Sequence, residues 1–144
     1  MTDKRLPRGV RLSNPGNLRH GKSEWRGMSE VQDDSDFVRF EAPEWGLRAI
    51  VRLLRNYYTK YGLRSIEAMI FRYAPPEDNN DTRAYVRTVA SKLGIDPQDP
   101  VDIDDPVIMT ALVKAIVRVE QGRGPLPDQG WYEDDVILKA IELA

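Results

Sequence analysis

The sequence predicts a mostly α domain of the α+β kind, with at least five helices and one small β-hairpin. Two patterns carry that expectation. Apolar residues recur at helical spacing in five stretches, four of which run into Gly or Pro. Two short aromatic segments flank an acidic run, which suits a hairpin. A chain of 144 residues has the length of one domain. Such a chain can bury roughly two-thirds of its unfolded surface, enough for a real core. The expected organisation is a basic N-terminal arm over residues 1–13 and a single domain over 14–144, without internal repeats.

The elements follow in order. Ser13-Asn-Pro-Gly-Asn-Leu-Arg-His-Gly21 opens on strong turn chemistry, because Pro presets φ and Gly accepts φ > 0. Asn14 and Asn17 either build that turn or present their amides to a ligand. Glu24 to Met28 and Asp36 to Phe40 are the two halves of the expected hairpin. Gln32 to Asp36 is its acidic loop. Pro43 then starts a helix with Glu44 in its first turn. Its stripe is Leu47, Ile50, Val51, Leu54, Tyr57 or Tyr58, and Tyr61, and Gly62 ends it. Ser65 can cap a second helix with Ile66, Met69, Ile70 and Tyr73 inward, stopped by Pro75-Pro76. Thr82 to Leu93 is a third, with Tyr85, Val86, Val89 and Leu93 inward and Gly94 as the stop. Ile95 to Asp105 is a Pro- and Asp-rich connection, short enough to lie within one domain. Glu133 to Leu143 is the last helix, with Val136, Ile137, Ala140 and Ile141 on its apolar face.

The helix between these last two is central. Asp105-Pro106 caps and starts it, and Gly122 stops it. Leu112, Ala115, Ile116 and Val119 make its apolar face. Glu120 falls one turn after Ile116, on the edge of that face. The helix dipole is negative at this end and repels a carboxylate. Partial burial and that dipole both favour the protonated acid. Such an acid can give a proton to a leaving group. The alternative is a solvated Glu neutralised by Arg118 or Arg123.

Composition excludes several classes. The net charge of −2 gives no global electrostatic case for nucleic acid. Arg48, Arg52, Arg55 and Lys60 read as a solvated helix face. There is no cysteine and one histidine, His20, so a zinc site of the usual ligands is not expected. Asp33, Asp34 and Asp36 lack the glycine and distal Glu of a calcium loop. No nucleophile elbow accompanies His20. No apolar run reaches membrane-spanning length, and no signal peptide opens the chain. No metal, cofactor, nucleic-acid or membrane partner is expected.

What remains is carboxylate chemistry on a sugar, and here the motifs converge. Leu112-Val-Lys-Ala-Ile-Val-Arg-Val-Glu120-Gln-Gly122 resembles the helix that carries the catalytic Glu in lytic transglycosylases and goose-type lysozymes. Phe71-Arg-Tyr-Ala-Pro75 resembles an aromatic-Tyr-Asn-Ala-Gly segment of that family, and Asp81-Thr-Arg-Ala-Tyr-Val86 its Glu-Thr-Arg-x-Tyr-Val helix. Asn17-Leu-Arg19, Trp25-Arg-Gly27 and Phe37-Val-Arg-Phe40 are similar to the Asn loop, Trp-x-Gly and hairpin of bacterial glucosaminidases of the lysozyme superfamily. In the family the Glu precedes the Asn loop. Here it follows everything else, and a circular permutation reconciles the order. Asn-Pro-Gly-Asn and Tyr73-Ala-Pro-Pro76 also resemble small phage-encoded proteins of virions or lysis. Two departures stand out: Gln121 replaces the usual Ser, and Ala74-Pro75 replaces Asn-Ala-Gly.

The resemblance implies a circularly permuted, lysozyme-like, muralytic enzyme. Its substrate would be the glycan strand of peptidoglycan, and Glu120 the acid at a bond between amino sugars. Glu30, Asp34 and Asp36 are the candidate second carboxylates. Asn14, Asn17, Trp25, Tyr73 and Tyr85 are the candidate substrate-binding residues, while Trp45 and Trp131 are packing residues. A monomer is expected, made in the cytoplasm and delivered to the wall by a virion or holin-type route, with other virion proteins as further partners. The alternatives are a non-catalytic virion or cell-wall-binding protein of the same fold, and a helical module that binds nucleic acid or protein.

Overall fold

The computed structural model describes residues 5–144. Within them the chain runs α1 (Arg8–Arg11), α2 (Pro43–Tyr61), α3 (Ile66–Tyr73), a 3₁₀ turn (Pro76–Asp78), α4 (Thr82–Leu93), α5 (Pro106–Gln121) and α6 (Asp134–Leu143). The boundaries follow the local chemistry. Ser65 Oγ accepts from the Ala68 N–H, and the Asp81 and Asp105 carboxylates accept from Ala84 and Val107. Gly62 and Gly94 close α2 and α4 in the left-handed conformation.

The core lies where α5 meets its neighbours. Helices α1, α2, α4 and α6 all pack on α5, and α3 bridges α2 and α4. Leu47, Ile50 and Leu54 of α2, Ile66, Met69 and Ile70 of α3, and Leu112 and Ile116 of α5 are buried at its centre. Burying each such side chain contributes about 1.5–3 kcal/mol before chain entropy is counted. Helix α5 is enclosed on more sides than one stripe suggests. Val113 and Val117 are buried with Leu112, Ala115 and Ile116, whereas Val119 is 36% exposed. The expected face was therefore rotated at its last turn, so that Val119 leans outward. The connection between α4 and α5 is held to the core by Val101 and Ile103, with the Val101 N–H donating to Arg64 O.

Two expectations need correction. The hairpin does not form as paired strands. Among the described residues this region has only isolated antiparallel bridges, Arg19 with Phe37 and Met28 with Phe40, and the two others, Ser65 with Pro100 and Leu126 with Gly130, lie elsewhere. The reason is that Asp36–Glu41 shares its backbone hydrogen bonds among several segments. The Val38 N–H donates to Leu18 O, the Phe40 N–H to Leu12 O, and the Glu41 N–H to Gly27 O. Val38 and Phe40 are buried, so this segment alternates as a strand does without gaining one continuous partner.

The expected arm is not free of the domain either. Residues 1–4 lie outside the described residues, but α1 packs on α5 and Leu12 is buried. Arg8 secures it from the other side. Its Nε donates to Asp34 Oδ2 at 2.8 Å, its Nη2 to Asp36 Oδ2 at 3.1 Å, and its guanidinium lies 4.4 Å from the Phe37 ring centre. Trp45 packs on Gly27, where a Cβ would come within 2.1 Å of the indole.

Candidate active site

Glu120 is the second-last residue of α5 and sits half-buried in the wall of an open cleft. Burial is the largest influence on its carboxyl and raises its pKa above the ordinary value of about 4.5. The hydrogen bond from Asn17, and after it the nearby Tyr85 hydroxyl, pull the other way without cancelling it. Asn17 Nδ2 donates to Glu120 Oε1 at 2.9 Å.

The Asn loop brings Asn17 there. Asn14 is the clamp of that loop and is fully buried. Its Nδ2 donates to Leu18 O at 2.9 Å and Val38 O at 2.8 Å, and its Oδ1 accepts from the Leu18 N–H at 2.9 Å. With its amide used inside the fold, Asn14 is not available to substrate. Asn17 itself adopts φ 53°, the left-handed region that Asn tolerates better than most residues.

Tyr73, at the end of α3, donates its hydroxyl to Gly16 O at 2.6 Å. A Cβ on Gly16 would stand 2.3 Å from that hydroxyl oxygen, so glycine is what lets the two elements meet. Tyr85 of α4 is buried, and its hydroxyl has no hydrogen bond of good geometry among the described residues. It lies close enough to Glu120 to be coupled to it electrically. Burial first, then neighbouring Tyr73 and Glu120, push the Tyr85 phenol far above its usual range.

The cleft has a volume of about 350 Å³. Asn17, Trp25, Phe37, Tyr57, Tyr73, Asp78, Asn80 and Glu120 are among its lining residues. Of the expected site residues, Glu120, Asn17, Trp25 and Tyr73 therefore meet in one place, with Tyr85 coupled to Glu120 from α4. The proposed partner carboxylates do not join them. Asp34 is bound by Arg8 and accepts the backbone N–H groups of Asp36 and Phe37, which hold its carboxyl far below the usual range. Asp36 shares the same guanidinium, and Glu30 is exposed away from the cleft. The acidic run organises a turn.

The other carboxylate in the lining is Asp78, which closes the 3₁₀ turn. Sequence reasoning missed it, along with Asn80, Tyr57 and Gln121. Gln121 is 7% exposed and donates from Nε2 to Asn17 Oδ1 at 2.9 Å and Pro15 O at 3.0 Å. At a helix end beside Gly122 it reads as a surface residue, and no local pattern signals its burial.

A larger cleft of about 770 Å³ lies along another face of α5, under the loop that follows it. Lys92, Lys114, Arg118, Arg123 and Asp128 are its charged lining residues. The one acid in its lining, Asp128, is exposed.

No family model matches the chain. It is similar to Protein P5 of Pseudoalteromonas phage PM2, with 38% identity over 138 residues that span 94% of this chain and 80% of that protein.

Proposed function

The chain belongs to the family of Protein P5 of Pseudoalteromonas phage PM2, and we propose that it cleaves the glycan strand of peptidoglycan with Glu120 as the general acid. One observation carries this reading. A desolvated carboxyl faces an open cleft between aromatic rings and side-chain amides. Aromatic faces suit sugar rings, and amides suit N-acetyl groups. A raised pKa keeps the carboxyl protonated where an ordinary Glu would be ionised, which is what protonation of a glycosidic oxygen requires. The fold is then a circularly permuted lysozyme-like domain, in which Glu120 comes last in sequence and meets the Asn loop in space.

As the bond breaks, Glu120 gives its proton to the leaving oxygen and the sugar becomes oxocarbenium-like. Two completions are open to the same site. In a lytic transglycosylase Glu120, now a carboxylate, takes the proton of the muramyl 6-hydroxyl as that oxygen closes on C1. In a hydrolase a second carboxylate activates water. Glu30, Asp34 and Asp36 do not line the cleft, and Asp78 is exposed on its wall. With Glu120 the one desolvated carboxyl there, the transglycosylase is the favoured completion.

Digestion of purified peptidoglycan by the wild type and Glu120→Gln tests this, with products read by mass spectrometry. Anhydromuramyl products that disappear in the variant support a transglycosylase. Reducing-end products that disappear support a hydrolase. Equal digestion by both proteins refutes the assignment of Glu120.

A second reading has its own observation. Gln121 and Ala74-Pro75 depart from the muralytic pattern, as expected of a virion or wall-binding protein that kept the fold without the reaction. It predicts sedimentation with peptidoglycan and no soluble product at any pH at which the protein stays folded. Delivery by a virion or holin-type route is part of the proposal. No helix among the described residues is long and apolar enough to cross a membrane.

A further inference from the structure

We propose that Gln121 is a positioning residue that fixes the polarity of the Asn17–Glu120 hydrogen bond and thereby holds the acid's proton on Oε2. An amide side chain can in general turn over, exchanging its donor for its acceptor. Here the turnover is blocked by a chain of contacts that starts at a group of fixed polarity. The Pro15 carbonyl can only accept, so the Gln121 atom facing it at 3.0 Å must be Nε2. The same Nε2 lies 2.9 Å from Asn17, so the Asn17 atom it faces must be Oδ1. The remaining atom of that amide is then Nδ2, and it faces Glu120 Oε1 at 2.9 Å. Oε1 is occupied as an acceptor. A proton on the carboxyl has its place on Oε2.

The fold encloses this relay. Gly9 of α1 lies directly over it, where a Cβ would stand 2.1 Å from Gln121 Nε2 and 2.4 Å from Asn17 Oδ1. A side chain there would displace the relay, which gives a physical reason for glycine on that face of α1. Burial matters because an amide open to water can replace either partner at little cost. Gln121 is 7% exposed, so its loss cannot be repaired so readily.

The role in catalysis rests on Glu120 being the acid, but the relay can be measured without any activity. Side-chain ¹³C-labelled Glu reports each carboxyl by NMR, and the Glu120 signal is the one absent from Glu120→Gln. In Gln121→Leu the Asn17 amide is free to turn its oxygen to Glu120, which favours the protonated carboxyl. The expected result is an upward move of the Glu120 titration midpoint in Gln121→Leu and in Asn17→Ala. Adding Gln121→Leu to Asn17→Ala should then move it no further, because residues that act through one contact are not additive. Gln121→Met, which keeps length and lacks the donor, carries the same prediction should the Leu variant fail to fold. An unmoved midpoint in a folded Gln121 variant overturns the relay. So does an equal move with and without Asn17. In digestion, Gln121→Leu should lower turnover by about 10- to 100-fold, the worth of one hydrogen bond to a charged group, and move the alkaline limb of the pH profile upward. Should Glu120→Gln digest as well as wild type, the acid assignment fails while the titration result still decides the relay.

Discussion

Glu120→Gln is the perturbation that separates chemistry from fold most cleanly. The amide has nearly the shape of the carboxyl, and its Oε1 can still accept from Asn17 Nδ2, now 2.9 Å from the carboxylate. What disappears is the transferable proton. General-acid catalysis is worth about 10²–10⁴-fold, or about 2.7–5.4 kcal/mol of barrier. The turnover of peptidoglycan should fall by that factor. Stability should move in the opposite sense, and its pH dependence follows from linkage. Burial raises the folded-state pKa of Glu120 above the ordinary value of about 4.5, so the folded protein holds this proton more tightly than the unfolded chain. That contribution is fully present below about 4.5 and is lost as pH rises through the folded value. Above it, wild type carries a desolvated charge that the Gln variant does not. The variant's Tm should therefore exceed that of wild type at neutral pH, and the gap should close as pH falls below the ordinary Glu value. Thermal melts of both proteins, from below the ordinary Glu value up to neutral pH, test this. A variant less stable than wild type at neutral pH would refute the burial argument. Retained digestion would refute the acid.

The same geometry makes three further predictions. Gly16→Ala places a Cβ 2.3 Å from Tyr73 Oη and 2.7 Å from Ile50 Cγ1. Overpacking and displacement of the Tyr73 hydrogen bond should together cost about 2–6 kcal/mol. That lowers Tm by roughly 4–20 °C for a chain of this size, whereas an unchanged melt would mean that the loop yields freely. Tyr85→Phe removes a buried hydroxyl that makes no hydrogen bond of good geometry among the described residues, so its stability should stay within about 1 kcal/mol of wild type. Without the influence of that hydroxyl the Glu120 midpoint should rise, and a fall observed by NMR would contradict the assigned coupling. Asp34→Asn should lower Tm at neutral pH while leaving digestion within a few-fold, because Asp34 binds Arg8 and does not line the cleft. The folded-state pKa of Asp34 is depressed, so its contribution is present above about 3.8 and lost as pH falls towards the folded value. A large loss of digestion in this variant would return Asp34 to the list of acids.

Helices α2 to α5 were legible because each announces itself locally, whereas α1 lay unread in the expected arm. Pro43 and Gly62, Ser65, Asp81 and Gly94, and Asp105 and Gly122 are caps or stops whose chemistry acts within a few residues, and the observed elements begin and end at them. Glu120 stands at the edge of an apolar face near a helix C-terminus, where a solvated Glu fits as well, and it was the resemblance of its helix to that of lytic transglycosylases that singled it out. The partners of that carboxyl were harder to read. Asn17 is 103 positions away, and Gln121 reaches back 106 positions to Pro15. No periodicity encodes a contact of that span. Asn14 and Asn17 show the limit most plainly, as two asparagines of one turn with the same side chain. The turn required one of them to satisfy Leu18 and Val38 inside the fold, and left the other in a left-handed conformation that aims its amide at the cleft. Which would be which depends on the segment Val38 belongs to, and that segment divides its hydrogen bonds among several partners. The acidic run misled for the complementary reason. Asp34 and Asp36, with Glu30, were candidate second carboxylates, but their neutralising partner Arg8 lies in a stretch that reads as a basic arm and is far from them in sequence. Once α1 is packed on α5, Arg8 takes Asp34 and Asp36 together, and Glu120 is left as the acid that burial keeps short of charge compensation.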